Sequence, residues 1–288
     1  MRDYLISFFE EFAYDQADRQ CLLGAYDSIA AQAAGLLNDI LSAYEADFDL
    51  DYRTQVLDKA EELAQRTGLH PYTVDLLVYL CMTKHLQVLY RERGLDMQIY
   101  RDSVLDLKWK LQECKLVKGI CGSFVGAWFA GFFRLDRFAL GRLQFELRTA
   151  RCDYNKNGIL LEKEKTTVIN VHIPRTGTPM DKESCDKAYA TARAFFRKQA
   201  ENCPFVCHSW LLYPENKSIL PANTNTYRFL SEYEIVDWGV NQGQDLWRLF
   251  DTEETDPHKL PTDGTLRRCY AEHLKGGGSV GWGYGVRI

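Results

Sequence analysis

Across residues 1–115 the apolar positions recur every three or four residues, the period of an amphipathic helix. Residues 16–46 are rich in Ala and Leu and nearly free of helix breakers, and residues 54–67 continue with strong helix formers. The clearest helix opens at His70-Pro71, with proline at its first position, and stops at Gly94. One face carries Val74, Leu77, Val78, Cys81, Leu86, Val88 and Leu89, while Arg91 and Arg93 complement the dipole in its last turn. A further helix carries Tyr100, Val104, Leu107 and Leu111 on one stripe, with Asp106 expected in solvent. The connections are short, which predicts antiparallel neighbours.

The texture changes after Lys118. Residues 119–133, GICGSFVGAWFAGFF, carry no charge and four glycines, and read as a buried segment or loop. Residues 142–149 alternate strictly: Leu143, Phe145 and Leu147 on one face, Gln144, Glu146 and Arg148 on the other, the period of a strand. Residues 153–158 end in Asn-Gly and read as a turn. TTVINVHI, residues 166–173, is β-branched and predicts a second strand. Residues 181–199 read as a helix capped by Asp181. Then come a strand over 205–213 and a short helix over 223–233. Two strands follow, 235–240 and 245–250, joined by a turn at 241–244, and then a final helix over 265–275. The glycine-rich end, 276–288, is expected to close as an edge strand. The order predicts an α/β (α+β) chain: an all-helical domain over 1–120, then a mixed β-sheet domain flanked by helices over 121–288.

Composition narrows the function classes. Of 288 residues, 46% are hydrophobic and 26% charged, with a net charge of −5, so the chain is globular and lacks the electrostatic footprint of a nucleic-acid binder. No apolar run is long enough for a membrane span, and the acids at Asp3, Glu10 and Glu11 spoil a signal-peptide reading. The nine cysteines are irregularly spaced, with no Cys-x-x-Cys pair, which predicts free thiols and a cytoplasmic protein without a metal site.

Chemistry concentrates between residues 142 and 180. Strand, glycine-containing loop and helix follow one another, and a helix N-terminus offers backbone N–H groups to an anion. Arg175, Thr176, Gly177 and Thr178 are placed to cradle a pyrophosphate, or to make an ordinary connection; neither a Walker-type nor a Rossmann-type loop is present. His172 sits at the C-terminal end of its strand, where α/β sheets place ligands, on the face it shares with Asn170. It can take a proton from an amine, or be a half-buried histidine satisfied by a neighbour. Glu146 is a candidate general base, or a salt-bridge partner. His208 lies between Val206 and Trp210, which favours structural burial, and Cys207 and Ser209 alternate away from it.

The stretch from Asp102 to Leu147, with the words GRLQFE, VINVHIP and CHSWLL, resembles a group of uncharacterised bacterial acyltransferase-domain proteins. These pair an N-terminal helical domain with a C-terminal domain similar to the N-acetyltransferase fold known as GNAT. The resemblance implies that the strand over 166–173 ends at the acyl-CoA thioester and that the loop over 174–180 holds the CoA pyrophosphate. The loop's Arg175-Thr-Gly-Thr-Pro departs from the fold's usual two-glycine pattern. In NTNTYRF, residues 223–229, Asn225 matches a CoA-contacting asparagine and Tyr227 the general acid that protonates the departing thiolate.

The expected function is therefore acyl-CoA-dependent N-acyl transfer, with acetyl-CoA the expected donor. The acceptor is a small-molecule or peptide amine in a cleft between the two domains, with Glu146 or His172 as base. Two other readings stand beside it: a non-catalytic binding or sensor module on the same fold, and a hydrolase using one of the nine thiols.

Overall fold

The computed structural model describes residues 1–241 and 246–288, which form two compact units, Met1–Phe138 and Ala139–Ile288. The first unit holds α1 (Arg2–Glu11), α2 (Gln16–Gln32), α3 (Ala34–Ala46), a five-residue π-turn at Arg53–Leu57, α4 (Asp58–Thr67), α5 (Pro71–Glu92), α6 (Met97–Lys118) and α7 (Gly126–Phe133). The Ala-rich run over 16–46 is two helices, parted at Ala33.

α5 is the axis of this unit, buried along most of its length and packed against α1 to α4, α6 and α7. Its start follows from the sequence: Pro71 fills a position that needs no N–H donor, and His70 Nδ1 accepts from Tyr72 N at 3.2 Å. Gly94 then adopts a left-handed backbone (φ +64°) that other residues enter at a cost, and the chain turns. The uncharged segment after Lys118 is largely a helix, because Phe129 and Phe133 of α7 pack on Tyr79 of α5 at 5.2 and 4.9 Å between ring centres. That packing draws residues 121–138 into the helical unit, so the division falls at 138/139 and not at 120/121. Asp106 is not solvated. It is buried and accepts the indole N–H of Trp128 at 3.0 Å.

The second unit is built on the strands β1 (Arg137–Leu140), β2 (Leu143–Thr149), β3 (Tyr154–Lys156), β4 (Ile159–Leu161), β5 (Thr167–His172), β6 (Phe205–Ser209), β7 (Tyr233–Val240) and β8 (Gly281–Arg287). Six form one sheet in the order β1-β2-β5-β6-β8-β7, and β3 and β4 form a hairpin. Its helices are α8 (Lys182–Phe195), α9 (Arg197–Ala200), α10 (Asn216–Ile219), α11 (Asn225–Ser231), α12 (Leu246–Phe250) and α13 (Thr265–Lys275). β6 ends at Ser209 and runs into a 3₁₀ turn, Trp210–Leu212, so the expected strand over 205–213 is shorter. The second strand expected after 240 is α12 over its described part; residues 242–245, with most of the expected turn, lie outside the described residues.

β5 and β6 run parallel and pair at Ile169–Phe205, Asn170–Val206 and Val171–Cys207. β6 continues to His208 and Ser209 past the last pair. One face of the sheet carries Phe145, Val171, Phe205 and Cys207. α8 packs on it through Tyr189, whose ring lies 5.9 Å from Phe145 and 5.0 Å from Phe205. The other face is divided. Toward one end Val168, Val206, Tyr284 and Val286 bury with Ala150, Tyr154 and Leu161 of the hairpin segment. Toward the other, at the end of β5 and beyond the last β5–β6 pair, its side chains are Gln144, Glu146, Asn170, His172 and His208.

β8 is not the edge strand that its glycines suggest. It lies between β6 and β7, and β7 forms the edge. Gly281, Gly283 and Gly285 alternate along it on the side where the 210–213 turn presses down. A Cβ at Gly283 would overlap the Leu212 carbonyl, and one at Gly285 would stand 2.9 Å from Tyr233. The glycines therefore permit a close approach that places β8 inside the sheet. Gly283→Ala should destabilise the protein by about 2 kcal/mol, the usual cost of overpacking, whereas Gly24→Ala, with open space around it, should not. Thermal melts of the two variants measure the difference, and equal melting temperatures would contradict the role given to Gly283.

Candidate active site

Glu146 and His172 come together because β2 and β5 pair antiparallel with Glu146 opposite Asn170 and Gln144 opposite His172. Residues opposite one another share a face, so the alternation visible in each strand brings four polar side chains to one patch. His172 Nε2 lies 2.7 Å from Glu146 Oε1, and Asn170 Nδ2 donates to the same oxygen at 3.1 Å. Arg148, two residues along β2, reaches the carboxylate from the side: Nη2 to Oε2 at 3.1 Å and Nε to Oε1 at 3.1 Å. Glu146 is buried, and the charge is tolerated there because these donors replace the water it has lost.

The geometry assigns roles. A carboxylate only accepts, so the contact at 2.7 Å requires the hydrogen of His172 to sit on Nε2. In the neutral ring the lone pair is then on Nδ1, which is the basic nitrogen. The Asn170 amide, 3.0 Å from Nε2, directs its hydrogen to Glu146 and cannot compete for that position. Glu146 is held by a guanidinium, an amide and an imidazole at once. It is therefore better suited to orienting His172 than to taking a proton itself. Glu146 is thus a buried salt-bridge partner, and His172, half-buried, is satisfied by it.

The remaining sequence-predicted residues lie on other elements. Arg175 leaves β5 and pairs with Asp251, its Nη2 2.7 Å from Oδ2, and Arg267 of α13 binds the same carboxylate. Thr176 and Thr178 share a hydroxyl hydrogen bond at 2.7 Å around Gly177, which has φ +72°. Asp181 caps α8 by accepting from Ser184 N at 2.8 Å. Asn225 is exposed at the first position of α11, behind Thr224, whose hydroxyl accepts from Tyr227 N at 3.2 Å. Tyr227 is half-buried, and its hydroxyl has no hydrogen-bond partner among the described residues. The structure thus joins Glu146 and His172 directly and carries Tyr227 and Asn225 on a separate helix.

Two features escaped the sequence reading. Arg148 and Asn170, read as sharing the faces of Glu146 and His172, meet in one cluster because β2 and β5 pair, which alternation within each strand does not show. His208 is exposed rather than structurally buried, because β6 ends one residue later; its ring packs edge-on against Trp282 at 4.9 Å. Cys207, its neighbour, is buried on the opposite face, and burial pushes its thiol well up, which makes it a poor nucleophile. Among the described residues no group of three or more His, Cys, Asp or Glu side chains could hold a metal, and no helix is long and apolar enough to cross a membrane.

The tautomer is directly measurable. In protein labelled with ¹⁵N-histidine, His172 should give the Nε2–H pattern, and Glu146→Gln should weaken that preference. An Nδ1–H ring in the unaltered protein would contradict the assigned hydrogen bond.

Comparison with known proteins agrees with this architecture. Residues 138–287 match the family model described as a GNAT-like C-terminal domain, and residues 3–135 match that of an N-acyltransferase N-terminal domain. A search of curated proteins found no match. Among solved structures, an acyltransferase in complex with decanoyl-CoA superposes with a TM-score of 0.76 at 19% identity, over 98% of this chain and 86% of that one. A mutant acyltransferase in complex with octanoyl-CoA gives 0.75 at 18%, over 99% and 88%. An acyltransferase in complex with CoA and 10C-teicoplanin gives 0.74 at 19%, over 98% and 87%.

Proposed function

This chain belongs to the family that joins an N-acyltransferase N-terminal domain to a GNAT-like C-terminal domain, and from that premise we propose that it transfers an acyl group from acyl-CoA to an amine. The observation that carries the reading is the Glu146–His172 pair, set on the polar face beside the point where the parallel β5–β6 ladder ends. An oriented imidazole at a strand end is what acyl transfer to an amine needs, since the amine must lose a proton as it attacks.

The step balances as follows. The amine nitrogen attacks the thioester carbonyl carbon, the C–N bond forms and the C–S bond breaks. The amine proton passes to His172 Nδ1. Backbone N–H groups at the strand end stabilise the oxyanion. The CoA sulfur takes the Tyr227 phenol proton; solvent then reprotonates the phenolate and removes the proton from His172. Glu146 keeps the imidazole in the useful tautomer and stabilises it when charged. Asn225 and the loop carrying Arg175, Thr176, Gly177 and Thr178 bind the CoA.

The sequence led to acetyl-CoA as donor. The similar solved acyltransferases hold octanoyl- and decanoyl-CoA, which favours a medium-chain donor here. The 10C-teicoplanin held beside CoA in one of them supports a small-molecule acceptor.

The test is a thermal-shift series with C2 to C12 acyl-CoAs, followed by thiol release with an amine panel. A donor at a hundred times its Kd adds about 2.7 kcal/mol of stability, with the largest shift expected between C8 and C10. Binding with no thiol release from any amine would favour a binding module, and no shift at any length would sink the reading. His172→Gln should lower kcat by roughly 10²- to 10⁴-fold with the donor shift retained, and Tyr227→Phe should lower kcat more than it alters donor Kd.

A further inference from the structure

The loop between β5 and α8 is held by two arginines from outside it. Arg142, in the β1–β2 turn, donates through Nη1 to the Pro174 carbonyl at 3.0 Å and through Nε to the Pro179 carbonyl at 3.2 Å. Arg228 of α11 donates through Nη2 to the Met180 carbonyl at 2.6 Å. The turn bearing Arg142 is itself seated on α8: a Cβ at Gly141 would stand 3.6 Å from Ala188.

Every peptide bond here is trans, and in a trans peptide the C=O and the following N–H point in opposite directions. Tying the carbonyls of residues 174, 179 and 180 to the arginines therefore turns the N–H groups of residues 175, 180 and 181 away from them. Among the described residues, the N–H groups of Thr176, Gly177, Met180 and Asp181 find no acceptor. Backbone N–H groups left open together in a short loop, ahead of a helix N-terminus, form an anion-binding concavity.

Arg142 has a second property. It is half-buried yet makes no ion pair among the described residues, whereas Arg228 is matched by Glu232 at 3.0 Å. Burial without a carboxylate pushes the Arg142 guanidinium below its ordinary pKa, and Asp181 only partly offsets this. A cation kept in that setting is stabilised by an anion arriving beside it. The Asp181 carboxylate occupies the cap position of α8, so the open donors belong to the loop rather than to the helix end.

We propose that Arg142 is a positioning residue for the donor's pyrophosphate: it holds the 174–180 loop with its N–H groups turned toward the phosphates and supplies unmatched positive charge beside them. The proposal rests on the acyl-CoA reading above and adds to it a residue outside both the loop and the Glu146–His172 pair.

The test compares decanoyl-CoA with decanoyl-pantetheine, which presents the same thioester without the pyrophosphate and nucleotide. Arg142→Gln should raise KM for the CoA donor by about tenfold or more, the loss of charge-assisted contacts to an anion, and leave kcat/KM for the pantetheine donor within about twofold. Equal losses on both donors, or none on either, would overturn the proposal. Should Arg142→Gln fail to fold, Arg142→Lys keeps the charge but cannot span both carbonyls, and the same CoA-selective loss, smaller in size, is expected. Binding of inorganic pyrophosphate to the wild-type protein and to the variant, by calorimetry, separates the two readings. If the wild type transfers from no acyl-CoA yet binds pyrophosphate through Arg142, the acyltransferase reading falls and the Arg142 site stands. If pyrophosphate binds both proteins alike, the Arg142 site falls.

Discussion

The polar face of the sheet is organised by the need to bury one carboxylate. Glu146 is only 2% exposed, and an ion in that position is tolerated only if hydrogen-bond donors replace its lost water. Arg148, Asn170 and His172 supply them, from the same strand and the one beside it. Arg148 supplies the compensating charge, while Asn170 and the neutral imidazole supply hydrogen bonds, so the loss of Arg148 alone would leave the carboxylate without a counter-charge. The same contacts that make the carboxylate tolerable fix the imidazole's hydrogen on Nε2, so burial of the charge and orientation of the ring come from one set of bonds.

That cluster needs a sheet whose two faces differ. The face under α8 is largely apolar and anchors the unit through Phe145, Tyr189 and Phe205. The opposite face is apolar only where the β3–β4 hairpin segment covers it and polar where the β5–β6 ladder gives out. A parallel pair places two strand ends at the same edge, and the loops that leave them carry the binding groups. Here the loop after β5 presents open N–H groups, and the end of β6 presents His208 against Trp282. Site and scaffold are thus adjacent parts of one sheet.

The strands that reached the right place did so for different reasons. β2 and β5 were readable from alternation and β-branching alone. β8 was expected as a strand but at the edge; only the pressing 210–213 turn explains why its glycines suit a place inside the sheet. The uncharged stretch before β1 read as a buried segment or a loop because of its glycines; it is buried, and its aromatic residues pack on α5 and hold residues 126–133 as a helix. In each of these cases long-range packing overrode a local preference worth about 1 kcal/mol.

By itself the sequence determined what is local or periodic. It determined the helical character of residues 1–115, the starts and stops at His70-Pro71 and Gly94, the alternating faces of β2 and β5, and the presence of Glu146 and His172 on polar faces. These follow from side-chain spacing and backbone sterics, which act between near neighbours. The tertiary structure alone decided the register that sets Glu146 opposite Asn170, the burial of Asp106, the exposure of His208 and the grip of Arg142 on the 174–180 loop. Each depends on residues brought together from distant parts of the chain, or on where a strand ends against its neighbour, and no periodicity along one segment encodes such a meeting.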